Sequence, residues 1–288
     1  MPRLDPFFRR RPILTAAVVS ALSLLLVQCD QNTVEPVEAV PTEAPEPALT
    51  PTAPLTPRPE TALSRGELVN AAGQAASTYA RGQTPTTTDP LVGRSFAVRM
   101  PFGCGGPSTA VDGAASNGLA RWTWGPDRKT IQISMTPGDW TASALTVPVG
   151  SEPVWEAVDG FWIPRPWLAA EACPQVPGDP LQTAGASASP QTVGIAAVFE
   201  AGSSRIGRRS GRAYAFTVRA QGDEPVLAPD GGYRLLLEGR VVGFPGGRAI
   251  RCLAPGPDQR PVCVAAVQLD KVAFEDAAGA TLSEWRPG

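Results

Sequence analysis

Residues 262–275 read VCVAAVQLDKVAFE and indicate a long β-strand. Alternation of apolar side chains at a period of two is typical of a strand with one buried face. After residues 270–271 the apolar face passes to Val272 and Phe274, which predicts a β-bulge at that point. Before it, four alternate positions share one face: Cys263, Ala265, Val267 and Leu269.

The same period recurs on the N-terminal side of this stretch. Gly125-Pro126-Asp127 has the composition of a hairpin turn between two such runs. We therefore expect roughly eight to ten strands and a mainly β fold, either an antiparallel β-sandwich or a partly open barrel, with one short N-terminal helix. The other alternating runs are 95–102, 120–124, 131–135, 193–199, 214–218 and 233–241.

The β domain is predicted to span residues 91–288. Residues 174–190 read PQVPGDPLQTAGASASP and have no period, so they could divide two β subdomains, 91–173 and 191–288. We favour one domain with a long surface loop, because each half would hold only four or five strands.

Residues 62–82 are predicted to form the short helix. Ser64 and Glu67 have the spacing of a capping box. The apolar stripe consists mostly of alanine, so we expect the helix to lean on the domain rather than to form its core. The stripe consists of Leu68, Ala72, Ala75 and Tyr79.

Residues 1–30 have the form of an export signal, with three arginines at 9–11 followed by an uncharged apolar run at 13–27. The sequence LVQC at 26–29 resembles the lipobox of bacterial lipoproteins, which implies lipidation of Cys29. Gln28 stands where a small residue is usual, so an uncleaved anchor and a secreted product remain alternatives. Each outcome places the domain outside the cytoplasm.

Residues 31–61 are predicted to be a disordered stalk, because their frequent prolines prevent helix and sheet from propagating. A spacer of this kind extends about 3 Å per residue and reaches up to ~90 Å. We expect the protein to reside in the cell envelope, membrane-anchored through its N-terminal lipid or anchor and facing the periplasm or the cell surface.

Four cysteines lie within the predicted β domain, which implies two disulfides in an exported protein. Three pairings are possible. Cys252 and Cys263 flank a turn-rich segment and form the favoured pair, which leaves Cys104 to bond Cys173.

The chain contains no histidine and carries a net charge of −2. The absence of histidine excludes Ser-His-Asp catalysis and imidazole metal sites. The near-neutral charge gives no reason to expect a nucleic-acid partner. No cofactor or metal is predicted.

Three groups of side chains are candidate functional residues. The glycine-rich segment RIGRRSGR provides a basic loop for an anionic glycan, a lipid headgroup or an acidic protein, through Arg205, Arg208, Arg209 and Arg212. Asp159-Gly160 predicts a hairpin turn whose neighbouring aromatic residues could stack on a sugar or a protein: Trp155, Trp162 and Trp167. A carboxylate pair of glycosidase type could come from Asp139, Glu156 and Asp159.

Four segments resemble uncharacterised exported proteins of alphaproteobacteria: GRSFAVRMPFGCGGP at 93–107, RW at 121–122, DW at 139–140, and the C-terminal RC, RPVC and VQLDKVAFE. The resemblance covers about 93–285 and implies export, without assigning an activity. The function we expect is non-enzymatic: an envelope lipoprotein whose β domain binds a protein, glycan or lipid partner or supports envelope assembly. The alternative is a carboxylate-dependent enzyme acting on envelope glycan.

Overall fold

The computed structural model describes residues 60–83, 89–108, 117–174, 190–202, 207–220, 222, 225–256 and 258–286. These residues form one compact unit. The predicted export segment, Cys29, residues 31–59 of the predicted stalk and Arg205 lie outside the described residues.

The described residues contain one α-helix and eleven strands in two sheets, which confirms the mainly β fold class. In chain order they are α1 (Arg65–Ala80), β1 (Ser95–Phe102), β2 (Arg121–Trp124), β3 (Thr130–Met135), β4 (Gly138–Asp139), β5 (Ala157–Trp162), β6 (Val193–Phe199), β7 (Tyr214–Arg219), β8 (Tyr233–Val241), β9 (Ile250–Leu253), β10 (Val262–Asp276) and β11 (Thr281–Trp285).

The larger sheet has the order β1-β8-β10-β6-β5-β4, and β9 and β11 also pair with β10. The smaller sheet has the order β2-β3-β7. Strands from both sides of residues 174–190 pair directly, since β5 lies beside β6 and β1 beside β8. This two-sheet arrangement is consistent with the β-sandwich of the two architectures expected.

Strand β10 is the centre of the larger sheet. The bulge predicted near Asp270 is confirmed, because the register between β10 and β8 shifts between Leu269 and Lys271. One pair departs from the antiparallel expectation: β6 runs parallel to β10, with Cys263 opposite Val193. The chain leaves β6 and passes through β7, β8 and β9 before it enters β10, and such a crossover permits parallel pairing.

The main core lies between the two sheets. It takes alternate side chains from the larger sheet, such as Val98 and Leu237, and from the smaller sheet, such as Ile131 and Ile133. Each of these four is at most 1% exposed. Full burial of one such side chain stabilises a fold by about 1.5–3 kcal/mol. The period-two pattern of the sequence arises because every second side chain of these strands points into this core.

A second core covers the opposite face of the larger sheet where β5, β6 and β10 meet. Strand β6 consequently has six consecutive buried residues and no polar face. A strand covered on both sides loses alternation and resembles a continuous apolar run. The second core consists of Trp140, Trp155, Val158, Ala196, Val198, Phe244, Val264 and Ala266.

The predicted helix and its capping box are confirmed. The Ser64 backbone donates to the Glu67 carboxylate at 2.8 Å, and the Glu67 N–H donates to the Ser64 hydroxyl at 3.4 Å. The expectation that α1 merely leans on the domain is wrong in one respect. Leu68 and Ala72 are buried within the main core, because the start of the helix is drawn against β1 by Leu63.

The turn predicted at Asp159-Gly160 is wrong, because both residues lie inside β5. Gly160 is instead needed for packing: a Cβ built there would lie 2.1 Å from the indole of Trp140. Glycine within a strand often marks such a close approach.

Candidate functional site

The carboxylates are separated in sequence from the basic segment 207–212, which we call the arginine loop, and the two meet at the β4–β5 edge of the larger sheet. We call this group the Asp159 cluster; it consists of Asp139, Glu156, Asp159, Arg208 and Arg209. Asp139 and Asp159 occupy directly paired positions of β4 and β5. Side chains at such positions project from the same face and lie about 4.5–5.5 Å apart at Cβ. The ladder therefore makes the two carboxylates neighbours.

The two aspartates have contrasting surroundings. Asp159 is 6% exposed, and burial raises its pKa although the Arg209 N–H donates to its Oδ2 at 3.1 Å. Asp139 is exposed, and hydrogen bonds from the hydroxyl and the backbone N–H of Thr141 lower its pKa. Loss of hydration disfavours the ionised form, whereas hydrogen bonds to a carboxylate favour it.

Arg208 pairs with the third carboxylate. Its Nη1 lies 3.0 Å from Glu156 Oε1, and both side chains are partly buried. The backbone N–H of Glu156 donates to Phe199 at the end of β6, so the carboxylate is held beside the sheet. This ion pair attaches one side of the arginine loop to the edge of β5.

Arg209 holds the other side of the loop. Its guanidinium lies 4.5 Å from the ring centroid of Tyr214 and donates to the carbonyls of Ala213 and Arg212. Tyr214 is 1% exposed, and burial followed by the charge of Asp159 raises its pKa. The phenol is therefore neutral near pH 7, and its ring face provides a surface for the cation.

Arg212 is the exposed arginine of the described loop. Its Nε donates to the carbonyl of Arg209 at 3.2 Å, which closes residues 209–212 into a compact turn. The charges of Arg208 and Arg209 face carboxylates or an aromatic ring, whereas Arg212 lies at the solvent side. A ligand in solution would therefore meet Arg212 first.

The three candidate tryptophans do not form one surface. Trp155 is 9% exposed and packs on Phe244 with ring centroids 5.4 Å apart. Trp162 is half-buried against Trp140 at 4.6 Å. The assignment of Trp155 to an exposed surface is wrong, because it is buried in the second core; Trp162 packs against that core, is partly exposed and stays a candidate. Trp167 alone of the three is exposed, at 60%.

Trp167 also lies apart from the Asp159 cluster. It follows the C-terminal end of β5, whereas Glu156 precedes the N-terminal end of that strand. Six residues of extended chain span roughly 20 Å.

Both disulfides of the favoured pairing are present, which confirms that prediction. One disulfide joins Cys104 to Cys173, and the other joins Cys252 to Cys263 across directly opposed positions of β9 and β10. The first ties the segment after β5 to the end of β1, and the second fastens a four-residue strand to the centre of the sheet.

One structurally important arginine was not predicted from the sequence. Arg65 is 1% exposed, and its guanidinium donates to the carbonyls of Pro164 at 2.5 Å, Arg165 at 3.2 Å and Leu168 at 3.2 Å. Backbone carbonyls about a hundred residues away leave no side-chain pattern, so no signal in the sequence pairs Arg65 with that segment.

Among the described residues, none of the helices has the length and apolarity required to cross a membrane. In the same part of the chain, the cysteine, aspartate and glutamate side chains form no group of three with metal-binding geometry. Comparisons with protein-family models, curated proteins and solved structures gave no match.

Proposed function

We propose that this chain is a non-enzymatic envelope lipoprotein whose β domain binds a partner through the arginine loop beside the Asp159 cluster. The observation that supports this proposal is that the three carboxylates of the cluster bind other groups of the protein. Glu156 pairs with Arg208, Asp159 accepts the Arg209 N–H, and Asp139 accepts from Thr141. Each carboxylate thus has a structural partner, and two of them hold the loop in place.

The partner would meet Arg212, whose side chain is exposed at the tip of a turn closed by its own hydrogen bonds. A turn held in this way loses little conformational entropy on binding. Anionic glycans, lipid headgroups and acidic protein surfaces all suit an arginine. The LVQC sequence at 26–29 supports an N-terminal lipid at Cys29 and a location facing the periplasm or the cell surface.

Site-specific photocrosslinking in intact cells tests the binding role. A photoreactive amino acid replaces Arg212 in one strain, and Leu227, which is 78% exposed, in the control strain. We expect a discrete adduct at position 212 that is weaker or missing at position 227. Equal adducts at both positions, or none at 212, would argue against the arginine loop as a binding site.

The enzymatic alternative is favoured by one observation, the opposite pKa shifts of Asp139 and Asp159. A carboxyl group with a raised pKa beside one with a lowered pKa is the arrangement that glycosidases use. Incubation of the purified protein with envelope glycan separates the two functions. Product release that is lost in both Asp139→Asn and Asp159→Asn would establish an enzyme and overturn the proposal.

A further inference from the structure

The buried guanidinium of Arg65 holds the segment 164–171, which we call the Trp167 loop, and its burial costs hydration free energy. A guanidinium taken out of water loses hydration, and burial lowers the pKa of Arg65 to about 10. Arg65 remains charged near pH 7, and its Nε and Nη2 donate to three carbonyls of this one loop, whereas its buried Nη1 has no hydrogen-bond partner among the described residues. The Arg65 backbone N–H adds a bond to Glu171 Oε1 at 3.3 Å.

Two further features fix the loop. The Cys104–Cys173 disulfide follows Glu171 by two residues, and Pro166 is buried next to Trp167. Ala169 packs on the first turn of α1, since a Cβ added to Gly66 would lie 3.1 Å from the Ala169 Cβ. The backbone of the Trp167 loop is therefore preorganised by contacts within the protein itself.

This braced loop presents an indole to solvent. All seven tryptophans are described, and the other six are buried or half-buried. Residues 167–170 read WLAA, and Trp167, Ala169 and Ala170 are all exposed. An exposed tryptophan on a preorganised backbone is typical of an anchor that enters another phase or partner.

The position of the loop indicates which partner it meets. At the N-terminal end of the described chain, Leu63 is held beside β1 by backbone bonds to Ser95 and Ala97, and Arg65 two residues later touches the loop. In the proposed function, the residues that precede this end of the chain carry the lipid. The Trp167 loop thus lies beside the N-terminal end of the described chain.

We propose that the Trp167 loop is the lipid-facing surface of the domain and that Trp167 enters the interfacial region of the bilayer. This inference rests on the proposed lipoprotein function. Tryptophan favours the headgroup level, because its ring is apolar and its N–H is polar. A tether raises the local concentration of the domain at the membrane, so a single weak anchor is sufficient.

Quenching by brominated lipid tests the contact. The full-length lipidated protein is reconstituted into vesicles of phosphatidylcholine and phosphatidylglycerol, with or without brominated acyl chains. We expect brominated vesicles to decrease the tryptophan emission of the native protein. Trp167→Phe should lose most of that decrease. Trp124→Phe, which removes a half-buried indole from the smaller sheet, should retain it.

The outcomes separate the two proposals. Lipidated protein whose quenching is missing, or is the same in native and Trp167→Phe forms, overturns the lipid-facing loop and leaves the lipoprotein proposal standing. Mass spectrometry of the N-terminal peptide reports on the anchor independently. An unmodified Cys29 in protein that stays in the soluble fraction overturns both.

Discussion

Asp159 and Asp139 face each other across the β4–β5 ladder, yet their carboxyl pKa values are shifted in opposite directions. The β4–β5 ladder makes them neighbours, and their different burial gives their carboxyl groups different pKa values. Asp159 lies beneath the arginine loop, whereas Asp139 lies at the exposed end of a two-residue edge strand. This contrast makes the pH dependence of stability informative.

Asp159→Asn should remove the decrease in the free energy of unfolding that the Asp159 titration causes as pH rises above about 4. Below its ordinary value near 3.8 the carboxyl is protonated in both folded and unfolded chains and contributes nothing. As pH rises from that value through the raised folded pKa, the unfolded chain ionises more readily, so the free energy of unfolding falls. The asparagine has no such titration and still accepts the Arg209 N–H, so its own effect near pH 4 should stay within about 1 kcal/mol.

Urea unfolding of both proteins at a series of pH values measures this effect. Asp139→Asn is the matched control with the opposite sign. The lowered pKa of Asp139 stabilises the fold above the ordinary value, and that stability is lost as pH falls through the lowered value. If both variants altered the pH profile in the same direction, the contrast between the two sites would be wrong.

Gly160→Ala should destabilise the domain because no room exists for a methyl group. The added Cβ would lie 2.1 Å from the Trp140 indole, which is itself held in the second core. Overpacking of this kind costs about 1–3 kcal/mol, measured by thermal or urea unfolding. Gly73→Ala is the control, since nothing lies within 4 Å of its Cβ and α1 should gain about 0.5–1 kcal/mol. Equal effects at both glycines would contradict the packing argument.

The sequence predicted most of the elements in which one face is buried, and also β6, which is covered on both faces. The alternation in 262–275 and its change of face after Asp270 arise directly from the main core and the bulge. Strand β5 was missed, because its residues show no alternation and Asp159-Gly160 has the composition of a turn. Gly160 was interpreted as a turn residue, although its role is to accommodate Trp140.

The sequence predicted the carboxylates and the arginines of the candidate site, but as two unrelated groups. The sequence separated Asp159 and Arg209 by 50 positions, and only the approach of the loop to the sheet edge joins them. Strand β4 has two residues, too few to show any period, so the pairing of Asp139 with Asp159 had no signal. Long-range backbone contacts such as those of Arg65 are likewise invisible in side-chain patterns.

Arg65→Lys should loosen the Trp167 loop while α1 remains helical. A lysine keeps the charge but lacks the planar fork that reaches Pro164, Arg165 and Leu168 together. Leaving buried carbonyls without donors costs about 1–3 kcal/mol. Amide hydrogen exchange should rise in 164–171 by tenfold or more. Arg81→Lys, at the exposed C-terminal end of α1, should leave that exchange unchanged. Fast exchange in both variants, or in neither, would contradict the bracing role.

Removal of the two disulfides should have unequal effects. The sequence separations are 11 for Cys252–Cys263 and 69 for Cys104–Cys173. Loop-closure entropy assigns about 3 kcal/mol to the shorter loop and about 4.4 kcal/mol to the longer. Replacing both cysteines of a pair by alanine avoids new disulfide exchange, and urea unfolding then measures each cost.

The location of the damage provides the sharper test of the disulfides. Loss of Cys252–Cys263 should release β9, because its described strand partner is β10 and its four residues give a short ladder. Loss of Cys104–Cys173 should instead free the segment after β5, including the Trp167 loop, from the end of β1. We expect hydrogen exchange to rise at 250–253 in the first variant and at 164–173 in the second. Fast exchange spread over β8 and β10 in the first variant would mean that the bond stabilises the whole sheet, contrary to this assignment.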